Sequence, residues 1–405
     1  MADYLTTPNT VDQYSRYMAT KFDEKDQIWN PTGWLSIFGR PETGALTRYS
    51  PNSLDVDIDI IRANEKIAAM VPRGTVSRKL GATQKNTLSQ RYSTFSRTFP
   101  LSEEEGDIDS NVILNRMAGE NPYQNKEKLA RLREHANIIH KEHVRRTIRT
   151  WEYLAQQSVL EGIMPAIIGT SDPDLQYNWR RNAAHISTLA LAWTNASSDP
   201  LKDHDDAWYL GRTNGRTNLD YVVYAEDAYT AFLAHADVVE KADNRRFELI
   251  LVNQGLPVPE KYRFLVEAGM TARGRLRTPG GHEFWQFTYS DIYDNAAGTA
   301  VKLMPDGYVL FGASDARCDR YFGPAENLPM IPLRQQFYQQ MFGFNMSAPP
   351  MPPKVKAQAH ALNAGMLYFD AYASNDWKRV TLRTQSAPIF ATTQTDAFVT
   401  YKGAA

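Results

Sequence analysis

The stretch Trp377-Lys-Arg-Val-Thr-Leu-Arg-Thr-Gln-Ser-Ala-Pro-Ile-Phe-Ala-Thr-Thr-Gln-Thr-Asp-Ala-Phe-Val-Thr-Tyr-Lys-Gly-Ala-Ala405 decides how this chain is read. It alternates β-branched and polar residues, breaks at Ala387-Pro388, resumes, and stops at Gly403, which predicts strand, break, strand and stop. Upstream, Pro305-Asp-Gly-Tyr-Val-Leu-Phe-Gly312 predicts a turn feeding a strand. Between 122 and 161 the pattern is one long helix that carries no active-site motif. Together these features point away from an enzyme.

Working outward, the helix is capped by Asn121, with Pro122 suited to its first position. Leu129, Leu132, Ala136 and Ile139 form one apolar stripe, and Val144, Ile148, Trp151, Ala155 and Val159 continue it after a one-residue slip. Gly162 and Pro165 end it. A helix of that span is about 60 Å long, a spine for a flat or elongated domain. The stripe departs from a strict heptad, which disfavours a coiled coil.

Residues 1–57 are polar and aromatic without a sustained period, and are expected to form an extended arm with a short helix near Asp12–Lys25. An arm of that length does not repay its own ordering entropy, so it is expected to lie on another surface. Residues 58–100 scatter Arg62, Lys66, Arg73, Arg78, Lys79, Lys85, Arg91 and Arg97 among few apolar anchors, which predicts a long two-stranded β excursion. An isolated hairpin is marginal in water, so this loop calls for a partner subunit or a neighbouring domain. Residues 101–110 carry Glu103, Glu104 and Glu105 and are read as an acidic turn, either solvated or meeting the basic loop between subunits.

Beyond the helix, Asp174–Trp179 and His185–Trp193 read as strands and Ser198-Asp-Pro-Leu201 as a turn or loop. Leu219–Tyr224 reads as a strand leading into a helix over Glu226–Lys241, and Pro259–Gly269 as helical. Strand-like runs Glu283–Tyr289, Val301–Met304 and Tyr308–Phe311 flank the turns at Gly280-Gly281 and Asp306-Gly307. Residues 329–356, rich in Pro, Gln and Met, read as a loop or surface insertion. No internal repeat is found.

The 405 residues can bury a large core across more than one domain. With 45 basic and 46 acidic side chains, the chain has no net field to draw it to nucleic acid or an acidic membrane. The single cysteine, Cys318, cannot form an intramolecular disulfide and fits a reducing compartment as a small buried side chain. The first residues do not read as a signal peptide, and no run reaches membrane-spanning length.

Catalytic and metal signatures are missing from the sequence. There is no phosphate-binding Gly-x-x-x-x-Gly-Lys-Ser/Thr loop, no dinucleotide Gly-x-Gly-x-x-Gly, and Gly312-Ala-Ser-Asp-Ala lacks the second glycine of a nucleophile elbow. His140 and His143 share a helix rich in Lys and Arg, which repel a cation, so no metal is assigned there. No catalytic residue and no cofactor is assigned. The basic side chains Lys141, Arg145, Arg146 and Arg149 of that helix suit either a solvated face or non-specific contact with DNA phosphates.

The order of arm, basic loop, acidic segment, spine helix, α/β segment and returning C-terminal strands resembles the major capsid protein E family of tailed bacteriophages. Five stretches carry the resemblance: Ala155-Gln-Gln-Ser-Val-Leu-Glu-Gly162, Trp193-Thr-Asn-Ala-Ser-Ser-Asp-Pro-Leu201, the junction Leu219–Phe232, Pro305–Ser314, and Gln385-Ser-Ala-Pro388 with its tail. It spans roughly 55–402. The resemblance implies an α+β tailed-phage major capsid (Johnson) fold with four parts: an N-terminal arm 1–57, an extended β loop 58–100, a peripheral domain 101–215 with 366–405, and an axial domain 216–365. It implies hexamers and pentamers of this chain in an icosahedral shell around double-stranded DNA, assembled in the host cytoplasm and retained in the virion. A scaffolding protein, a portal and a decoration protein are the implied partners. Arg73, Arg78, Lys79, Arg91 and Arg97 would contact acidic turns including Glu103–Glu105 between subunits. The stretch 329–356 departs from the family pattern, and no pair of residues for covalent cross-linking is identified. The alternatives are a cellular nanocompartment shell of the same fold, a soluble hydrolase, and a decoration or tail protein.

Overall fold

The tail after Trp377 forms three strands where its sequence predicts two, and each enters a different sheet. A computed structural model describes residues 33–49, 55–63, 90–98, 102–109, 126–166, 176–243, 250–251, 258–294, 298–323, 368–373 and 379–405. The expected helix near Asp12–Lys25, the cap at Asn121-Pro122, residues Arg73, Arg78 and Lys79, and the stretch 329–356 lie outside these. Strands β1 (Thr47–Tyr49), β2 (Asp55–Ala63), β3 (Gln90–Thr98) and β4 (Ser102–Asp109) precede the long helix α1 (Lys126–Leu160). Next come β5 (Ile163–Pro165), β6 (Gln176–Asn178), β7 (Ile186–Thr188), α2 (Pro200–Leu210), β8 (Tyr221–Tyr224), α3 (Glu226–Ala234) and α4 (Ala236–Asp243). The chain continues through β9 (Ile250–Leu251), α5 (Arg263–Glu267), β10 (Thr271–Arg277), β11 (Glu283–Thr288), β12 (Ile292–Asp294), β13 (Ala300–Lys302), β14 (Val309–Gly312) and β15 (Asp319–Phe322). It ends with β16 (Tyr368–Ala373), β17 (Arg379–Ser386), β18 (Pro388–Ala391) and β19 (Phe398–Lys402).

A seven-stranded sheet in the order β7-β19-β14-β8-β11-β10-β9 organises the core. The four-residue runs of β8 and β14 are buried at every position, as expected of strands covered on both faces. β14 runs antiparallel to both β8 and β19, while β8 pairs parallel with β11 across the connection that contains α3 and α4. Gly312 belongs in β14 because a Cβ there would sit 2.4 Å from the Tyr221 ring. The tail breaks twice rather than once: β17 joins β16 and β4, β18 joins β15, and after a second break β19 enters the large sheet.

The α1 helix runs 35 residues, about 50 Å. Val144, Trp151, Ala155 and Val159 of the expected stripe are buried. Gly162 follows the helix at φ +64°, the left-handed residue that a helix stop requires. β2 and β3 pair antiparallel over nine residues, so the base of the 58–100 excursion is two-stranded as expected, with Ile58 and Ile60 buried.

Four local expectations change. The acidic segment is strand rather than turn: Glu103, Glu104 and Glu105 lie in β4, opposite Gln385, Thr384 and Arg383 of β17. Ser198–Leu201 is a helix start, where the Asp199 carboxylate accepts from the Lys202 N–H at 3.0 Å and Pro200 opens α2. The helix expected over Glu226–Lys241 breaks at His235, whose ring Nδ1 accepts from the Asp237 N–H and starts α4. Of His185–Trp193 only β7 is strand; beyond it the Leu189 and Trp193 N–H groups bond the Lys402 and Ala404 carbonyls. The described part of the N-terminal arm is also no loose arm. Trp34, Leu35, Ile37 and Phe38 are buried in the chain's own core, and β1 pairs parallel with β15.

Candidate functional site at the spine helix

The second half of α1 is packed on nearly every side, and polar partners do much of the holding. The hydroxyl of Ser158 donates to the Phe390 carbonyl at 2.8 Å, and Thr392 Oγ1 donates to the Ser158 carbonyl at 3.0 Å. Trp151 Nε1 donates to Ser386 Oγ at 3.2 Å, and Thr400 Oγ1 to the Leu160 carbonyl at 2.8 Å. Ser386, Thr392 and Thr400 of the tail are buried with their hydroxyls bonded to the helix, which stitches the tail strands to it.

A buried guanidinium closes the helix. Arg181 donates to the carbonyls of Val159 at 2.6 Å, Leu160 at 3.2 Å and Ser158 at 3.3 Å. These are the groups a helix C-terminus leaves without intrahelical donors, and the cation also faces the negative end of the helix dipole. Burial lowers the Arg181 pKa to about 10, so the cation persists at neutral pH.

About two turns earlier the helix carries a buried carboxylate. Glu152 accepts from the Tyr289 hydroxyl and, at 2.9 Å, from Arg149 Nη1, while Arg149 also pairs with Asp291. Burial raises the Glu152 pKa, and the Tyr289 hydrogen bond opposes that rise. Gly33 lies against this carboxylate at φ +48°; a Cβ there would fall 1.8 Å from Glu152 Oε1.

A third buried polar group sits under the large sheet. His204 of α2 donates from Nδ1 to the Pro200 carbonyl at 2.6 Å, so its Nε2 is the acceptor for the Tyr224 hydroxyl, also at 2.6 Å. Gln286 Nε2 donates to the same Tyr224 oxygen at 3.0 Å. Trp193, Phe232, Phe284 and Phe311 surround the imidazole. Burial pushes its pKa down to about 4.

The residues singled out in the sequence fall elsewhere. Arg145 and Arg146 are exposed on α1, where Arg146 pairs with Glu142 at 2.5 Å; Lys141 lies on the same helix. Arg149 is drawn into the Glu152–Asp291 contacts instead. Arg91 and Arg97 lie in β3, opposite Arg62 and Val56 of β2. His143, one half of the rejected metal pair, is buried with Nδ1 3.3 Å from Thr384 Oγ1. Cys318 is buried, and burial raises its thiol pKa far above the physiological range. Glu152, Arg181 and His204 were not found from sequence. Among the described residues no group of His, Cys, Asp and Glu is arranged to hold a metal ion. No helix of the described residues is long and apolar enough to cross a membrane.

A family model described as phage major capsid protein E matches residues 43–330. A crystal structure of a prophage capsid protein from E. coli CFT073 is similar to this chain at TM-score 0.60 and 12% identity, covering 96% of this chain and 98% of that one. That likeness shows the fold, the α+β tailed-phage capsid fold. The bacteriophage PhiM1 mature capsid is similar at TM-score 0.40 and 10% identity, covering 88% and 85% of the two chains. A virus-like particle from Pyrococcus furiosus is similar at TM-score 0.40 and 8% identity, covering 96% of each. Both are too distant to add to the fold assignment. No curated protein matches the chain in sequence.

Proposed function

The chain belongs to the phage major capsid protein E family, and from that premise we propose that copies of it form hexamers and pentamers closing an icosahedral shell around the double-stranded DNA of a tailed phage. The family match over 43–330 is the observation that carries this reading. A shell repeats one chain under closed symmetry, so each subunit must offer several moderate contacts that act together. In this reading the peripheral domain (101–215 with 366–405) and the axial domain (216–365) meet along the β14–β19 ladder, and the axial domains gather at the centre of each hexamer or pentamer. The loop 58–100 clamps the next subunit, bringing Arg73, Arg78, Lys79, Arg91 and Arg97 to acidic segments such as Glu103–Glu105. Strand addition would satisfy backbone groups that a lone hairpin leaves open. Arg145 and Arg146 are exposed, which suits contact with packaged DNA together with Lys141. Arg149 would contribute less, since Glu152 and Asp291 hold it. A scaffolding protein, a portal and a decoration protein complete the proposed partners, with assembly in the host cytoplasm.

Expression of the full chain with and without Arg78→Glu/Lys79→Glu, imaged by negative-stain electron microscopy, tests the reading. Hexamers, pentamers or closed shells are expected from the unaltered chain alone or co-expressed with a scaffold and portal, and folded subunits without particles from the double variant. Normal particles from the double variant would overturn the clamp. Monomers under every condition, co-expression included, would overturn shell assembly. Enzyme cargo in place of DNA within particles would move the chain to a cellular compartment.

A further inference from the structure

The hairpin of β2 and β3 keeps its charges apart. By strand alternation Val56, Ile58, Ile60 and Arg62 of β2 share one face, and the residues opposite them in β3 are Arg97, Phe95, Ser93 and Arg91. Ile58 and Ile60 are buried, so this face lies on the core. The other face carries Asp55, Asp57 and Asp59, and Asp57 is exposed. Their cross-strand partners are Thr98, Ser96 and Thr94, none of which is charged. The three aspartates thus recur about 7 Å apart along the strand, with no cation placed on their face. On the core side, Arg62 stands directly opposite Arg91. A hairpin arranged for its own stability sets opposite charges across from one another, and like charges there are unfavourable. β2 and β3 form a sheet of two strands, so among the described residues neither has a second strand beside it. The outer face is left for a partner.

We propose that the outer face of β2–β3, the face of Asp55, Asp57 and Asp59, docks residues 64–89 of a second copy of this chain. The inference rests on the shell reading above and deepens it by naming what the basic loop lands on. Charge selects the occupant. Residues 64–89 carry Lys66, Arg73, Arg78, Lys79 and Lys85 against Glu65 alone, the largest excess of bases in any segment outside the described residues, while residues 1–32 hold more acids than bases. An acidic face repels phosphate, so DNA is not its occupant. The segment is long enough: half of it, extended, spans roughly 40 Å, against about 13 Å for the row of aspartates. β2 ends at Ala63 and β3 begins at Gln90, so the loop leaves the hairpin beyond Asp59 and would have to double back to reach its own aspartates. Each copy therefore offers its loop to one neighbour and its acidic face to another, a head-to-tail contact that repeats around a ring. Arg91 and Arg97 belong to the opposite face and take no part in this contact.

Two charge-reversed chains test the contact. Asp57→Lys/Asp59→Lys reverses the face, and Arg78→Glu/Lys79→Glu reverses the loop. Each is produced alone, and the two are co-expressed, under the condition in which the unaltered chain assembles. Oligomers are read by light scattering and negative-stain electron microscopy, and folding by circular dichroism. Each variant alone brings like charges together and is expected to remain as folded subunits. Mixed, the two alternate, every loop meets a face of opposite sign, and oligomers are expected to return. Should Asp57→Lys/Asp59→Lys not fold, Asp57→Asn/Asp59→Asn takes its place and should raise the concentration needed for assembly about tenfold, the value of two surface ion pairs; an unchanged concentration would overturn the proposal. Normal assembly of either reversed variant, or no recovery in the mixture, would overturn it and leave the shell reading standing. Recovery of the loop variant by Glu103→Lys/Glu105→Lys instead would move the contact to β4 and likewise overturn it. An unaltered chain that never oligomerises would overturn the shell reading and this inference with it.

Discussion

Acidification should weaken this subunit through His204, and the size of the effect follows from where the imidazole sits. An exposed histidine titrates near 6.5. Burial among Trp193, Phe232, Phe284 and Phe311 lowers the folded-state value to about 4. Below the unfolded value the unfolded chain binds a proton that the folded chain refuses, so stability falls with pH. The contribution is fully present above about pH 6.5 and is lost progressively down to about pH 4. A gap of about 2.5 units at about 1.4 kcal/mol per unit amounts to roughly 3 kcal/mol. His185 is also buried and its pKa lowered, which adds to the loss, while burial raises the pKa of Glu152, Asp203 and Asp315, which opposes it, so the total loss is the balance of these groups. Urea unfolding of the full chain at a series of pH values, beside His204→Phe, isolates the His204 share. The variant keeps an aromatic ring in the aromatic cage but loses the Pro200 hydrogen bond and leaves the Tyr224 hydroxyl without its acceptor, so it should be less stable by about 1–3 kcal/mol at pH 7. Its stability should then fall less between pH 6.5 and 4. Parallel pH profiles for the two proteins would refute the reasoning.

Two further perturbations probe the ends of the spine helix and its neighbours. Arg181→Met should cost about 1–3 kcal/mol in denaturant unfolding, because the Ser158 and Leu160 carbonyls keep Thr392 and Thr400 as donors while the Val159 carbonyl loses the guanidinium; an unchanged midpoint would show the cap to be dispensable. Gly215→Ala places a Cβ 2.1 Å from the Asp396 carbonyl oxygen and should lower the melting temperature far more than Gly44→Ala, where the added methyl meets open space and only the left-handed backbone is strained.

The sequence was most legible where local pattern and long-range pairing agree. Tyr221–Tyr224, Val309–Gly312 and the tail strands are apolar or β-branched runs bounded by turn residues, and each became a strand in the place its pattern suggested. Gly162 ended the helix because a left-handed residue there is a local requirement. β10 went unread because Thr-Ala-Arg-Gly-Arg-Leu-Arg looks like loop until β11 supplies its partner. The helix start at Asp199-Pro200 reads as a turn in the sequence because the two structures share their first residues. The buried polar groups escaped for a deeper reason. Periodicity assigns a glutamate or an arginine to the solvent face by default. Glu152 and Arg181 are inside because Tyr289, and the carbonyls of residues 158–160, reach them from parts of the chain no window covers. The exposed candidates Arg145 and Arg146 were visible because charge on a helix surface needs no partner to be noticed.

The polar stitching of the spine helix has a consequence for assembly that apolar packing alone would not secure. Apolar contacts are non-directional, and a helix held only by them can slip a turn, about 5.4 Å, along its neighbour at modest cost. Ser158, Trp151 and Glu152 each hold a hydrogen-bond partner outside the helix, and a one-turn slip would leave several buried groups unsatisfied at once. A closed shell needs every copy to present its surfaces at the same angles. A helix fixed in register by directional bonds meets that need, at the expense of burying charges that a more apolar core would omit.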